Sequence, residues 1–119
     1  MHKMLKLAVT LAEDNPGIKD YKLGAVIAKR NKPLAIGLNS YKTHPLQAKF
    51  ARRKGSVCLH AEIDAIQNFV RKYGVEKLSK CTLYVARVKK SGEKVIAKPC
   101  KGCQRAIIAF NIGNVVWTE

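Results

Sequence analysis

Two short motifs constrain this chain more than anything else in it. They are His-Ala-Glu at 60–62 and Pro-Cys-Lys-Gly-Cys at 99–103, and each opens a helical pattern. In CLHAEIDAIQNFV the residues Ile63, Ile66, Phe69 and Val70 share one helical face, and the second motif runs almost at once into AIIAF. A helix start stabilises negative charge and favours the thiolate of a cysteine placed there. Residues three apart are neighbours on a helix, so Cys100 and Cys103 can reach one ion. Pro99 suits the first helical position, where its missing donor costs nothing. His60 adds an imidazole from the opening turn of the other helix. Two thiolates and an imidazole, with the fourth position left to water, make the donor set of a catalytic zinc site. Glu62 lies two positions from His60 and therefore off its face, which places it beside that water rather than on the metal.

A Cys-x-x-Cys pair also occurs as a redox pair or as half of a structural zinc site. The structural alternative wants a fourth protein ligand, for which Cys58 is the nearby candidate. Burial beneath the site is the commoner fate of such a thiol.

HxE followed by PCxxC is the signature of zinc deaminases that act on nucleobases, and the chain resembles the cytidine and deoxycytidylate deaminase superfamily. An Asn just after the second strand, Asn39 in GLNSY, extends the resemblance, and the GLNSYKTHP segment ahead of HAE looks like the small bacteriophage-type members. The resemblance implies a three-layer α-β-α fold and a Zn2+ cofactor, with His60, Cys100 and Cys103 as ligands. It implies Glu62 as the catalytic residue, base toward water first and acid toward departing ammonia afterwards. It implies further that Asn39 contacts the substrate's sugar and that the Ala61 backbone bonds the pyrimidine ring. Read by itself, Asn39 is equally a turn residue. Many relatives continue into a further strand and helix, so a short form is expected to lean on a neighbouring subunit or to leave its site more open. A homo-oligomer is expected on the same ground.

With 119 residues, 47% of them hydrophobic, the chain is expected to form a single domain over 1–119. Lysine and arginine number 23 against 8 acidic residues, a net charge of +15 that favours phosphorylated or polyanionic partners. The four cysteines, two of them spoken for as ligands, point to a reducing compartment over a disulfide framework. No apolar run approaches the roughly 20 residues that span a bilayer, so the expectation is a cytoplasmic protein with no membrane partner.

Along the chain, Met4–Ala12 reads as an amphipathic helix, Leu23–Ala28 and Leu34–Leu38 as a hairpin, and Cys81–Val88 as a third strand with Cys81 in the core. A helix over about Cys100–Phe110 and a strand over Asn114–Trp117 complete a mixed sheet of about four strands. Between hairpin and catalytic helix, His44 is a candidate for stacking on a base or touching a phosphate. Arg52 and Arg53, with Lys49 and Lys54, are candidates for gripping a phosphate or simply form a solvated face. The function expected first is hydrolytic deamination of cytosine in a free nucleotide or nucleoside, with a small pyrimidine substrate as partner. The alternative is cytosine, less so adenine, in single-stranded nucleic acid. Zinc-stabilised nucleic-acid binding without catalysis comes third, and the intact Glu62 weighs against it.

Overall fold

A computed structural model describes residues 2–16, 21–40 and 60–119. The first helix, α1 (Lys3–Glu13), buries Met4, Leu5, Ala8, Val9 and Ala12 along one stripe. Its start is capped by His2, whose imidazole accepts from the Met4 N–H at 3.0 Å and stacks on Tyr84 with ring centroids 4.8 Å apart. Strands β1 (Tyr21–Lys29) and β2 (Lys32–Leu38) form an antiparallel hairpin, with a register shift between Ile27 and Ala28. Strand β3 (Thr82–Lys89) runs antiparallel to β1 on its other side. The far edge of β3 is shared: β4 (Lys94–Val95) pairs antiparallel with its end, and β5 (Asn114–Trp117) pairs parallel with its first half.

The sheet is thus mixed, as expected, with five strands where the sequence suggests about four. The addition is β4, too short at two residues for any periodicity to reveal it. A 3-10 turn over Glu76–Lys80, which buries Leu78, is likewise without a clear sequence signal.

Helix α2 (Ala61–Tyr73) and helix α3 (Lys101–Ala109) lie on the face opposite α1. The strands sort their side chains between the layers with period two, as a pleated sheet requires. Ala25, Ile27, Leu83 and Val85 pack with Ile63, Ile66, Phe69, Cys103 and Ala106, while Val26, Ala28, Tyr84, Ala86 and Val88 pack with α1. Cys81 is buried in the first of these clusters, as expected. The expected α-β-α layering is therefore the observed one. No helix among the described residues is long and apolar enough to cross a membrane.

Two glycines set how closely the layers approach. A Cβ on Gly24 would run into the Ala8 carbonyl of α1, and one on Gly37 would run into the Ala61 carbonyl and the Ala65 amide of α2. The second contact matters more, because Ala61 is the first residue of the helix that carries Glu62. Two side chains of α2 fasten it to the same strand: the Asp64 carboxylate accepts from the Leu38 N–H at 3.0 Å, and Asn68 donates to the Ile36 carbonyl at 2.9 Å. Gly37→Ala is expected to cost roughly 1–3 kcal/mol, the usual range for overpacking a filled interior. Urea unfolding of the variant checks this, and an unchanged midpoint would contradict the close approach.

Candidate active site

Both metal-type motifs sit at helix caps. His60 is the N-cap of α2 and Cys100 the N-cap of α3, each with extended backbone, so Glu62 and Cys103 fall within the first helical turns. Pro99 consequently lies one residue before the cap, and the expectation that it opens the helix is corrected. The cap position goes to Cys100 because its sulfur accepts from the Cys103 N–H at 3.5 Å, a service proline cannot provide. The Cys-x-x-Cys spacing is thus a capping spacing, N-cap to third residue. The Gln104 side chain donates to the Pro99 carbonyl at 2.7 Å and holds the approach to this turn.

The three candidate ligands converge. His60 Nδ1 lies 3.3 Å from Cys103 Sγ and 3.5 Å from Cys100 Sγ, and the three ligand atoms all lie within 4.8 Å of one another. Tetrahedral zinc with its usual bond lengths places nitrogen and sulfur ligands about 3.5 Å apart, so the spacing fits. The pattern of protons points the same way. The Cys100 thiol is drawn down to about 3, first by a hydrogen bond from the Cys103 thiol and then by His60. The Cys103 thiol is pushed up by its bond to the Cys100 sulfur, by burial and by the charge of Glu62. His60 is raised mainly by its hydrogen bond to Cys100. The two sulfurs and the imidazole thus compete for too few protons at one point, which is where a divalent cation substitutes for them.

Glu62 is 2% exposed, and its Oε1 is a buried oxygen with no hydrogen-bond partner. Desolvation raises its pKa above the ordinary carboxylate value. An orphaned buried carboxylate oxygen in the first turn of α2, beside a two-sulfur, one-nitrogen donor set, fits a zinc site with three protein ligands.

The whole chain, residues 1–119, matches the family described as the cytidine and deoxycytidylate deaminase zinc-binding region. The chain belongs to this family. Guanine deaminase from Bacillus subtilis is similar in structure, with a TM-score of 0.63 and 27% identity over 98% of this chain and 64% of that one. This chain therefore spans somewhat less than two thirds of that enzyme. The dCMP deaminase of cyanophage S-TIM5, solved with dCMP and dUMP, is similar at a TM-score of 0.65 and 20% identity over 95% of this chain and 76% of that one. A deaminase from a study of A-to-I editing at the wobble position of transfer RNA matches at a TM-score of 0.59 and 22% identity, over 96% and 72% of the two chains. No curated protein matches the sequence significantly.

Of the other residues singled out from sequence, Ala61 is the buried first residue of α2. Asn39 is buried, and its amide is a joint between strands. Its Oδ1 accepts from Leu23 N–H at 2.8 Å and from Asn15 Nδ2 at 2.7 Å, while its Nδ2 donates to the Tyr21 carbonyl at 3.0 Å. It thereby ties the start of β1 to the end of β2 and to the exit of α1, a role the sequence reading misses. His44, Lys49, Arg52, Arg53, Lys54 and Cys58 lie outside the described residues. The reading also passes over Asp64 and Arg87, since a lone charge on a helix or strand carries no motif.

The direction of the Glu62 shift has a consequence for the metal-free protein. A carboxyl with a raised pKa in the folded state stabilises the fold below its unfolded pKa and loses that contribution as pH rises through the folded value. Stability of the metal-free protein is therefore expected to decline as pH climbs above the ordinary carboxylate range. Glu62→Gln is expected to remove that decline and to raise stability at neutral pH, as chemical denaturation across a pH series would show. The same variant is expected to retain zinc, whereas Cys103→Ser is expected to lose it, by elemental analysis.

Proposed function

We propose that the chain catalyses hydrolytic deamination of cytosine in a free nucleotide or nucleoside, giving the uracil counterpart and ammonia. The observation that carries this reading is the buried Glu62 carboxylate, its Oε1 without a hydrogen-bond partner, beside three converging zinc-type ligands. His60, Cys100 and Cys103 would hold the ion, which when bound supplies a Lewis acid able to bring the pKa of water to roughly 7.

The rest is work for this chain's own residues. Glu62 receives a proton from water as the oxygen adds to the amino-bearing carbon, and it delivers that proton to the adjacent ring nitrogen. It then passes the second water proton to the amino group, the carbon–nitrogen bond breaks, and ammonia leaves. A raised pKa suits both halves of this task, because a desolvated carboxyl holds a proton long enough to hand it on. The Ala61 amide, at a helix start where backbone N–H groups have no intrahelical acceptor, is placed to bond the ring. Asn39, its amide fixed by the joint described above, is the proposed contact to the sugar.

The family description and the similarity to a dCMP deaminase support cytosine as the base. The second reading, cytosine or less so adenine in single-stranded nucleic acid, draws on the net charge of +15 and the structural similarity to a tRNA-editing deaminase. Ultraviolet assays with cytidine, deoxycytidine and dCMP, set beside guanine and a labelled oligonucleotide, separate the two. Turnover of the cytosine monomers is expected, and turnover confined to the oligonucleotide, with affinity falling steeply in salt, would favour the second reading. Glu62→Gln is expected to lower turnover by at least roughly 10²–10⁴-fold with zinc content unchanged, the range for removing a general acid–base. Near-normal turnover in that variant would overturn the mechanism.

A further inference from the structure

Arg87 is a half-buried cation on the sheet face that carries α2 and α3, and the chemistry above leaves it unused. On β3 it shares parity with Leu83 and Val85, which pack against α2 and α3, so it projects toward the zinc-site side of the sheet. Its height on that face follows from the register. Val85 pairs with Ala25, Ala25 with Gly37, and Gly37 lies beneath Ala61, where the catalytic helix begins. Two residues further along β3, about 7 Å at the usual rise, Arg87 pairs with Leu23 on one side and Val95 on the other. Leu23 in turn accepts from the Asn39 N–H through its carbonyl. Asn39, Leu23 and Arg87 thus form the first cross-strand row beyond the start of α2.

The side chain is held in place rather than neutralised. Its guanidinium lies 4.0 Å from the centroid of the Tyr21 ring, and Tyr21 is the residue whose carbonyl takes the Asn39 amide. Its Nε is buried with no hydrogen-bond partner, and no described carboxylate forms an ion pair with it. A buried donor on a cation left without an acceptor is costly, and such groups are ordinarily satisfied. An aromatic ring covers one face of a guanidinium and leaves the donors on its edge to bond an anion, in the fork geometry that matches phosphate.

We propose that Arg87, braced by Tyr21, is the anchor for the phosphate of a mononucleotide substrate, so that the enzyme acts on nucleotides in preference to nucleosides. This rests on the deaminase reading of the same site. The anchor gives the guanidinium edge an anionic partner that no described carboxylate supplies, and Arg87 shares its row with Asn39, the proposed sugar contact.

The test is calorimetric binding of dCMP, deoxycytidine, dAMP, dGMP and a short single-stranded oligonucleotide to the zinc-loaded Glu62→Gln protein, with and without Arg87→Gln or Arg87→Lys. Hydrogen bonds to a charged group are worth about 1.5–3 kcal/mol, or roughly 10- to 100-fold in affinity. The protein with Arg87 intact is expected to bind dCMP at least about tenfold more tightly than deoxycytidine. Arg87→Gln is expected to erase that preference while leaving deoxycytidine within about twofold, and Arg87→Lys is expected to restore part of it. Equal losses for dCMP and deoxycytidine would show a merely structural arginine and overturn the proposal. So would a native protein with no preference for the phosphorylated ligand, or an Arg87 effect confined to the oligonucleotide. Arg87-dependent binding of dAMP or dGMP in place of dCMP would support the anchor and overturn the cytosine reading instead.

Discussion

The site depends on two helix starts being aimed at one point, and the sheet topology achieves this. Strands β2 and β3 both run antiparallel to β1, hence parallel to each other, and β3, α3 and β5 form a parallel crossover. In such units ligands gather at the carboxyl ends of the strands, where the following helices begin. The Asp64 bond to Leu38 fixes the start of α2 against the end of β2. Cys100 and Cys103 come from the start of α3 after β3 and β4, so ligands more than 40 residues apart approach to 3.3 Å. The helix termini add a favourable field for thiolate and carboxylate.

That convergence explains why a poorly solvated carboxylate is tolerated at Glu62. Burying an unpaired oxygen works against the fold, and α2 carries compensating attachments directly below it. Gly37 allows backbone contact, Asp64 and Asn68 bond to β2, and Ile63, Ile66 and Phe69 are fully buried. The helix is thereby rigid where its first turn must be strained electrostatically. The buried carboxylate at Glu62 is sustained by packing along the rest of α2.

Much of this was legible in the sequence because the decisive signals are local. The HAE and PCKGC motifs mark both helix starts, and the apolar periods of Met4–Ala12 and of Ile63, Ile66 and Phe69 mark the layers. What escaped has a physical reason in each case. Pro99 resembles a first helical residue, but the competition for the cap is won by the Cys100 sulfur, a tertiary demand of the site. Strand β4 exists only through pairing with the end of β3. Asn39 reads as a turn residue because nothing nearby in sequence shows that Asn15, Tyr21 and Leu23 converge on its amide. Arg87 sits in a strand whose alternation is apolar on both faces, which hides a single half-buried cation.

The metal ligands and Glu62 do not by themselves choose a base. Cytosine, adenine and guanine each present an amino-bearing carbon beside a ring nitrogen, and the same proton transfers serve all three. Deaminases of guanine, of dCMP and of transfer RNA share this fold. Selectivity must therefore be built by groups that touch the parts of the substrate that differ, and these lie beyond the first turn of α2. There the sheet offers a fixed amide at Asn39 and a braced guanidinium at Arg87, joined through Tyr21. The amide is held by hydrogen bonds and the guanidinium by the Tyr21 ring before any substrate arrives, so little ordering is left to be done on binding. On the proposed reading, chemistry belongs to the helix starts and substrate choice to the sheet row beyond them.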